Sequence, residues 1–154
     1  MEYLIRNVEY GELDKAFSII WKTFLEFVAP DFSKEGIDTF RVKFIENDEF
    51  KDCFKNGKQI MYGAYSKEKL LGVVSISANN HVSCVFVDKE YHRNGIATIL
   101  FKQIISDLEE KKVEKVVLNA SPYAVPFYHE IGFKDLDGEQ DFHGILYTPM
   151  EFIL

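Results

Sequence analysis

Val85-Phe86-Val87-Asp88-Lys89-Glu90-Tyr91-His92-Arg93-Asn94-Gly95-Ile96-Ala97 passes from an apolar β-type run, through a short polar segment with one glycine, into an amphipathic helix that the spacing predicts to Lys111. Ile96, Ile99, Leu100, Ile104, Ile105 and Leu108 fall on one helical face, leaving Lys102, Gln103, Asp107 and Glu110 for water. A strand therefore hands directly to a helix N-terminus. The first helical N–H groups have no intrahelical acceptor, the helix dipole places partial positive charge there, and glycine permits close approach of a ligand. Arg93 adds a formal charge beside them. Neither G-x-G-x-x-G nor G-x-x-x-x-G-K-[ST] occurs, so the known dinucleotide and triphosphate loops do not fit, and the residues alone allow either an anion site or an ordinary strand-helix turn.

Outward from this junction the chain reads as one mixed α/β unit. Tyr3 to Asn7 is a short strand, Leu13, Phe17, Ile20, Trp21, Phe24 and Phe27 mark a helix with an aromatic stripe, and Pro30 stops it. Ser33 is the expected N-cap of a second helix carrying Ile37, Phe40, Phe44 and Ile45, with Phe50 and Phe54 as one further turn. Ile60 to Tyr65, Leu71 to Ile76 and His81 to Val87, separated by polar turns, form an antiparallel meander. Val116 to Asn119 follows the long helix, and a helical crossover requires a parallel neighbour. A helix over Val125 to Ile131 stops at Gly132. Phe133 to Leu136 and Ile145 to Phe152 then close the chain as two strands, with Pro149 expected to demote part of the last to an edge or bulge. The fold class is a single-domain mixed, mostly antiparallel central sheet flanked by helices.

Composition bounds the function. A chain of 154 residues with 47% hydrophobic and 15% aromatic content is one globular domain, long enough for its own core. The net charge of −7 opposes nucleic-acid backbones, whose binding needs a cationic surface, and favours cationic small molecules or basic peptides. Cys53 and Cys84 show neither a disulfide framework nor zinc spacing, and His92, His129 and His143 are scattered, so no metal is expected. The acidic N-terminal segment and the lack of an apolar run near about 18 residues predict a soluble, cytoplasmic protein with no membrane partner.

Two motifs carry a resemblance. His92-Arg93-Asn94-Gly95-Ile96-Ala97 resembles the Q/R-x-x-G-x-G/A segment of the GCN5-related N-acetyltransferase (GNAT) superfamily, with His92 departing from the usual Gln or Arg. Phe127-Tyr128-His129-Glu130-Ile131-Gly132-Phe133, after Asn119-Ala120-Ser121, resembles that superfamily's F-Y-x-x-x-G-F helix. The order of elements from Tyr3 to Leu154 is similar too. The resemblance implies the acyl-CoA N-acyltransferase fold and an acetyl-CoA-dependent enzyme, with a small-molecule or peptide amine as acceptor, acting as a monomer or homodimer. Direct attack in a ternary complex is the implied route. A non-catalytic acyl-CoA-binding sensor is the alternative.

The resemblance also implies roles. Backbone amides of His92, Arg93, Asn94, Gly95, Ile96 and Ala97 would hold the pyrophosphate. The Val85, Phe86 and Val87 strand would pair with the pantetheine arm, and Asn119 would bond it or the tyrosine loop. Tyr128 would be the general acid. Trp21, Phe24 and Phe27, a core stripe by spacing alone, would line the acceptor pocket, where Glu26 and Asp31 could select an amine. His81 stands, counting back from Gly95, where many members carry a glutamate base, and an imidazole suits proton removal near neutral pH. Simple alternation puts His81, Ser83, Val85 and Val87 on one face and Cys84 and Phe86 on the other, which argues against a Cys84–His81 nucleophilic pair.

Overall fold

The computed structural model describes residues 2–154. β1 (Leu4–Asn7) is followed by α1 (Leu13–Thr23), α2 (Lys34–Phe40) and α3 (Asp48–Asn56). A meander of β2 (Gln59–Ser66), β3 (Lys69–Ser77) and β4 (His81–Val87) leads to α4 (Ile96–Glu110). The chain closes with β5 (Lys115–Ala120), α5 (Val125–Ile131), β6 (Lys134–Asp135), β7 (Gln140–Phe142) and β8 (Ile145–Ile153). The sheet order is β1-β2-β3-β4-β5-β8-β6, with β7 beside β8. All pairings are antiparallel except β4 with β5, as a helical crossover demands. The mixed, mostly antiparallel sheet flanked by helices is the expected fold class.

Each sheet face has its own apolar core. α4 and α5 cover one, built on Leu71, Val74, Val82, Leu100, Ile104, Leu118 and Met150. α1 to α3 cover the other, built on Leu13, Phe17, Ile20, Phe24, Phe40, Met61 and Val73. Within α4 the inward face also includes Phe101, and Asp107, expected among the wet residues, takes a 2.7 Å hydrogen bond from the Tyr62 hydroxyl.

Several local expectations change. α1 does not end cleanly at Pro30. It widens into a π-type turn over Phe24–Val28 and tightens into a 3₁₀ turn over Ala29–Asp31, with proline in a first-turn position where its missing N–H costs least. α2 likewise ends in a π-type turn, Arg41–Ile45. Ser33 caps α2, its Oγ accepting from the Gly36 N–H at 3.2 Å. Phe50 and Phe54 belong to a separate helix, α3, because the Asn47 side chain accepts from the Phe50 N–H at 3.0 Å and restarts the spiral. Pro149 lies inside β8, opposite Asn119 of β5, and creates neither an edge nor a bulge there. Its carbonyl accepts from the Leu136 N–H at 2.8 Å. The N–H and C=O of one strand residue point the same way, so the missing donor falls on the β6 side, where β6 ends, and the β5 ladder is undisturbed.

α2 is seated on the β7–β8 turn by an absence of side chains. Gly36 meets the backbone of Gly144, whose φ of +88° suits glycine, and the Thr39 hydroxyl donates to the His143 carbonyl at 3.0 Å. A Cβ on Gly36 would overlap the Gly144 carbonyl and come within 3.1 Å of the Ile145 nitrogen, both backbone and unable to step aside. Gly36→Ala should therefore cost about 2 kcal/mol, as overpacking does, lowering Tm by about 4–8 °C in a domain of this size; thermal unfolding followed by circular dichroism checks it.

Candidate active site

β4 decides the site. Its pairing with β3 runs to Val87, but its pairing with β5 covers only His81 with Val117 and Val82 with Leu118. Beyond Val82 the two strands part, and a cleft of about 1040 Å³ opens through the sheet between them. On that side the backbone of Ser83 to Val87 has no strand partner. Val85, Phe86 and Val87 all line the opening.

The junction after β4 is shaped by backbone handedness. Arg93 has φ +67° and Gly95 φ +74°, two left-handed residues within three, which turn the chain into α4. The first helical amide to find an intrahelical acceptor is that of Ile99, bonded to the Gly95 carbonyl at 3.0 Å, so the amides just before it point into the cleft end unpaired within the helix. A Cβ placed on Gly95 would meet no atom within 4 Å, which leaves room for a ligand against the backbone. The His92 ring is not free for such a ligand, because its Nε2 donates to the Val87 carbonyl at 2.7 Å and fastens the loop to the strand end. His92, Arg93, Gly95, Ile96 and Ala97 line the cleft, as does Asn119 from the far strand; Asn94 is exposed and outside the lining.

Tyr128 reaches the split from α5. Its ring is wedged among Phe101, Phe127 and Phe133, at 5.7, 5.4 and 5.5 Å between centroids. The residue is buried but lines the cleft, and no buried polar atom among the described residues lacks a partner, so its hydroxyl opens onto the cavity. Burial pushes its pKa above the usual phenol value, keeping it a proton donor at neutral pH.

His81 stands at the start of β4, half-buried and lining the cleft. Burial lowers its pKa from the ordinary 6.5, so the imidazole is neutral, and able to accept a proton, at pH 7. The face it occupies corrects the alternation expected from sequence. Ile76 pairs with Val82 and Ser75 with Cys84, leaving Ser83 as the extra residue of a β-bulge. Val82 consequently packs in the α4–α5 core with Val85 and Val87, and Cys84 in the opposite core with Phe86. His81, next to Val82, thus shares the face of Cys84. A nucleophilic pair still does not arise, for a different reason. Cys84 is buried, and burial pushes its thiol pKa up to about 12, so no thiolate is on hand.

The bulge also aims the Ser83 hydroxyl at two neighbours, Ser75 Oγ at 2.6 Å and the acceptor Gln59 Oε1 at 2.9 Å. Ser83 and Gln59 line the cleft, and neither was singled out in the sequence. Of the aromatic stripe, Phe24 and Phe27 line the cleft. Trp21 does not; it stacks on Phe24 from behind, with centroids 5.7 Å apart. Glu26 is turned away to Lys89, 2.7 Å distant, and Asp31 is exposed and outside the lining. Tyr123, which no sequence motif flagged, packs on Phe27 at 5.3 Å, and Phe27 in turn lies 4.7 Å from His92, so three rings bridge the two halves of the cleft. No group of three potential metal ligands occurs among the described residues, and no helix there is long and apolar enough to cross a membrane.

Comparison with known proteins agrees with this geometry. Residues 28–154 match the family described as the acetyltransferase (GNAT) domain. An uncharacterized N-acetyltransferase of Escherichia coli K12, YafP, is 25% identical over 130 residues, covering 84% of this chain and 80% of that protein. A GCN5-related N-acetyltransferase structure from Rhodopseudomonas palustris superposes with a TM-score of 0.86 at 16% identity, covering 100% of this chain and 97% of the other. The PaiA N-acetyltransferase of Thermoplasma acidophilum, solved with coenzyme A, gives 0.80 at 18% identity with 100% of both chains covered.

Proposed function

The chain belongs to the acetyltransferase (GNAT) domain family, and on that premise we propose that it moves the acetyl group of acetyl-CoA directly onto a primary amine held in the same cleft. The observation that carries this reading is the parting of β4 from β5 after Val82, which leaves one strand edge, one left-handed loop and one buried tyrosine facing a common space. The fit to acetyl-CoA rests on three features. The Val85 to Val87 edge offers backbone partners to an amide-bearing arm. The clear space at Gly95, with the amides of Arg93 to Ala97 and the nearby guanidinium, suits a pyrophosphate. Asn119 faces the edge from β5 and would bond the same arm.

Acetyl-CoA supplies an acyl group already activated as a thioester. The chain's residues then manage two protons. His81, neutral at pH 7, takes the proton from the ammonium nitrogen, directly or through one water, so that its lone pair can form the C–N bond. Tyr128 gives its proton to the sulfur as the C–S bond breaks. A phenol with a raised pKa is a weak acid, so its transfer accompanies bond breaking rather than preceding it. The acylated nitrogen then loses its second proton to the tyrosinate, which restores the neutral tyrosine, and the protonated imidazole releases its proton to water, which balances the cycle.

His81 gives a pH test. Because its pKa is lowered in the folded protein, the base form predominates at pH 6.5 and above and is lost only as pH falls further. In wild type, kcat/KM should be flat from about pH 7 upward and fall with unit slope on the acid side, beginning below 6.5. His81→Gln should lower the plateau about 10²-fold and remove the acid limb. An unchanged limb in the variant would exclude His81 as the base. Consumption of acetyl-CoA with a panel of amines tests the overall reading: binding without turnover across the panel would favour the non-catalytic sensor.

A further inference from the structure

The acceptor half of the cleft is walled by rings. Phe24 stacks on Phe40 with centroids 3.9 Å apart, Phe40 touches Phe44 at 5.1 Å and Phe86 at 6.1 Å, and Phe44 meets Phe50 edge-on at 5.3 Å; Phe32 packs on Phe24 at 5.6 Å. All six border the cavity, Phe24 as fully buried backing behind the others. The polar groups among them are few and uncharged at neutral pH: Thr23, Gln59, His81 and Ser83. One formal charge stands on this side, Lys43, whose Nζ lies 4.6 Å from the centre of the Phe142 ring. Among the described residues lining the cavity the sole carboxylate is Glu130, on α5 across the split.

This charge pattern sorts amines. A polyamine or an aminoglycoside carries at least two ammonium groups. One can react, but every other would have to leave water for a wall of rings with no carboxylate to meet it, beside a lysine of the same sign. A single amine on an aromatic body has no such group left over. Its ring finds apolar area and edge or offset stacking partners, and its ammonium is held against ring faces until it gives up its proton. The dry surroundings themselves lower the amine's pKa and ease that step.

Building on the acetyl-transfer reading, we propose that the acceptor is a monoamine carried on an aromatic ring, bound with the ring against the Phe40–Phe44–Phe86 wall and the amine toward His81. The test compares kcat/KM for 2-phenylethylamine and tryptamine with that for spermidine and kanamycin at saturating acetyl-CoA. The ring amines should lead by roughly 10²-fold or more. Binding is read separately by titrating 2-phenylethylamine into the coenzyme-A-loaded protein while following the fluorescence of Trp21, the chain's one tryptophan, which stacks on the cavity-lining Phe24. Phe44→Ala should lower kcat/KM for the ring amines about tenfold, with acetyl-CoA affinity measured in parallel to report that the variant is folded. Equal or better turnover of spermidine, or ring amines that neither bind nor react, would overturn the proposal while leaving acetyl transfer standing. Failure of wild type to bind acetyl-CoA would instead overturn the reading on which it rests.

Discussion

Gly95→Asp abolishes measurable acetyl-CoA binding while the protein remains folded: that is the expected result, and two independent physical effects set its size. The Cβ site at Gly95 is clear of the chain's own atoms, so the new carboxylate enters the space assigned to the pyrophosphate and displaces it without disturbing a neighbour. It also brings negative charge against negative charge, a juxtaposition that costs several kcal/mol; about 4 kcal/mol corresponds to about 10³-fold in affinity. The backbone contribution is smaller. A non-glycine residue at φ +74° is strained by about 1–2 kcal/mol, and aspartate is among the residues that tolerate the left-handed region best. Tm should therefore fall by less than about 8 °C. Gly95→Ala separates the effects, since it carries the backbone cost without the charge and should lose less than about tenfold in affinity. Isothermal titration with acetyl-CoA on both variants is the measurement, and undiminished affinity in Gly95→Asp would refute the pyrophosphate assignment.

Tyr128→Phe should reduce kcat by about 10²–10³-fold with little change in acetyl-CoA affinity, the range that removal of a general acid ordinarily gives. The substitution deletes one oxygen and leaves the ring in its cluster with Phe101, Phe127 and Phe133, so packing is preserved. Among the described residues no acceptor takes a hydrogen bond from that hydroxyl, so its removal orphans nothing there. A rate loss here would thus report chemistry. Because burial raises the Tyr128 pKa, the wild type should show no basic limb from this residue below about pH 10. Retention of full kcat in the phenylalanine variant would transfer the proton-donor role to water.

The parts of the fold that were legible in the sequence are those written in periodicity and capping. The β4-to-α4 handover, the meander, the parallel crossover and the glycine-terminated α5 all follow from apolar spacing interrupted by residues with special backbone freedom. The restart at Asn47 was missed although it left a signal, an asparagine N-cap before the acidic Asp48 and Glu49, because the apolar spacing of Phe50 and Phe54 also fits a continued helix. What could not be read are the places where one residue is inserted into a regular count. The bulge at Ser83 leaves no compositional trace, yet it reverses the facing of everything before it, which is why alternation put His81 opposite Cys84. The π-type turns at Phe24–Val28 and Arg41–Ile45 likewise break the helical count, and spacing alone does not tell that Trp21 packs behind Phe24. Pairing across the whole chain is also silent locally. β7 and the seat of Pro149 depend on what lies alongside, and nothing within those segments states it.

The parting of β4 and β5 bears on how stable the fold is as well as on what it can bind. Five of the seven residues of β4 form an open sheet edge in the middle of the molecule, and open edges are templates on which a second chain can add itself. Here the edge is recessed between two covered half-sheets, which restricts access for a passing strand but not for a slender ligand. A ligand laid along it completes the hydrogen-bond ladder and, at a hundred times its dissociation constant, holds the folded state by about 2.7 kcal/mol. Coenzyme A laid there would stabilise the fold as well as the acetylated form, so thermal unfolding should show a higher Tm with added coenzyme A than without it.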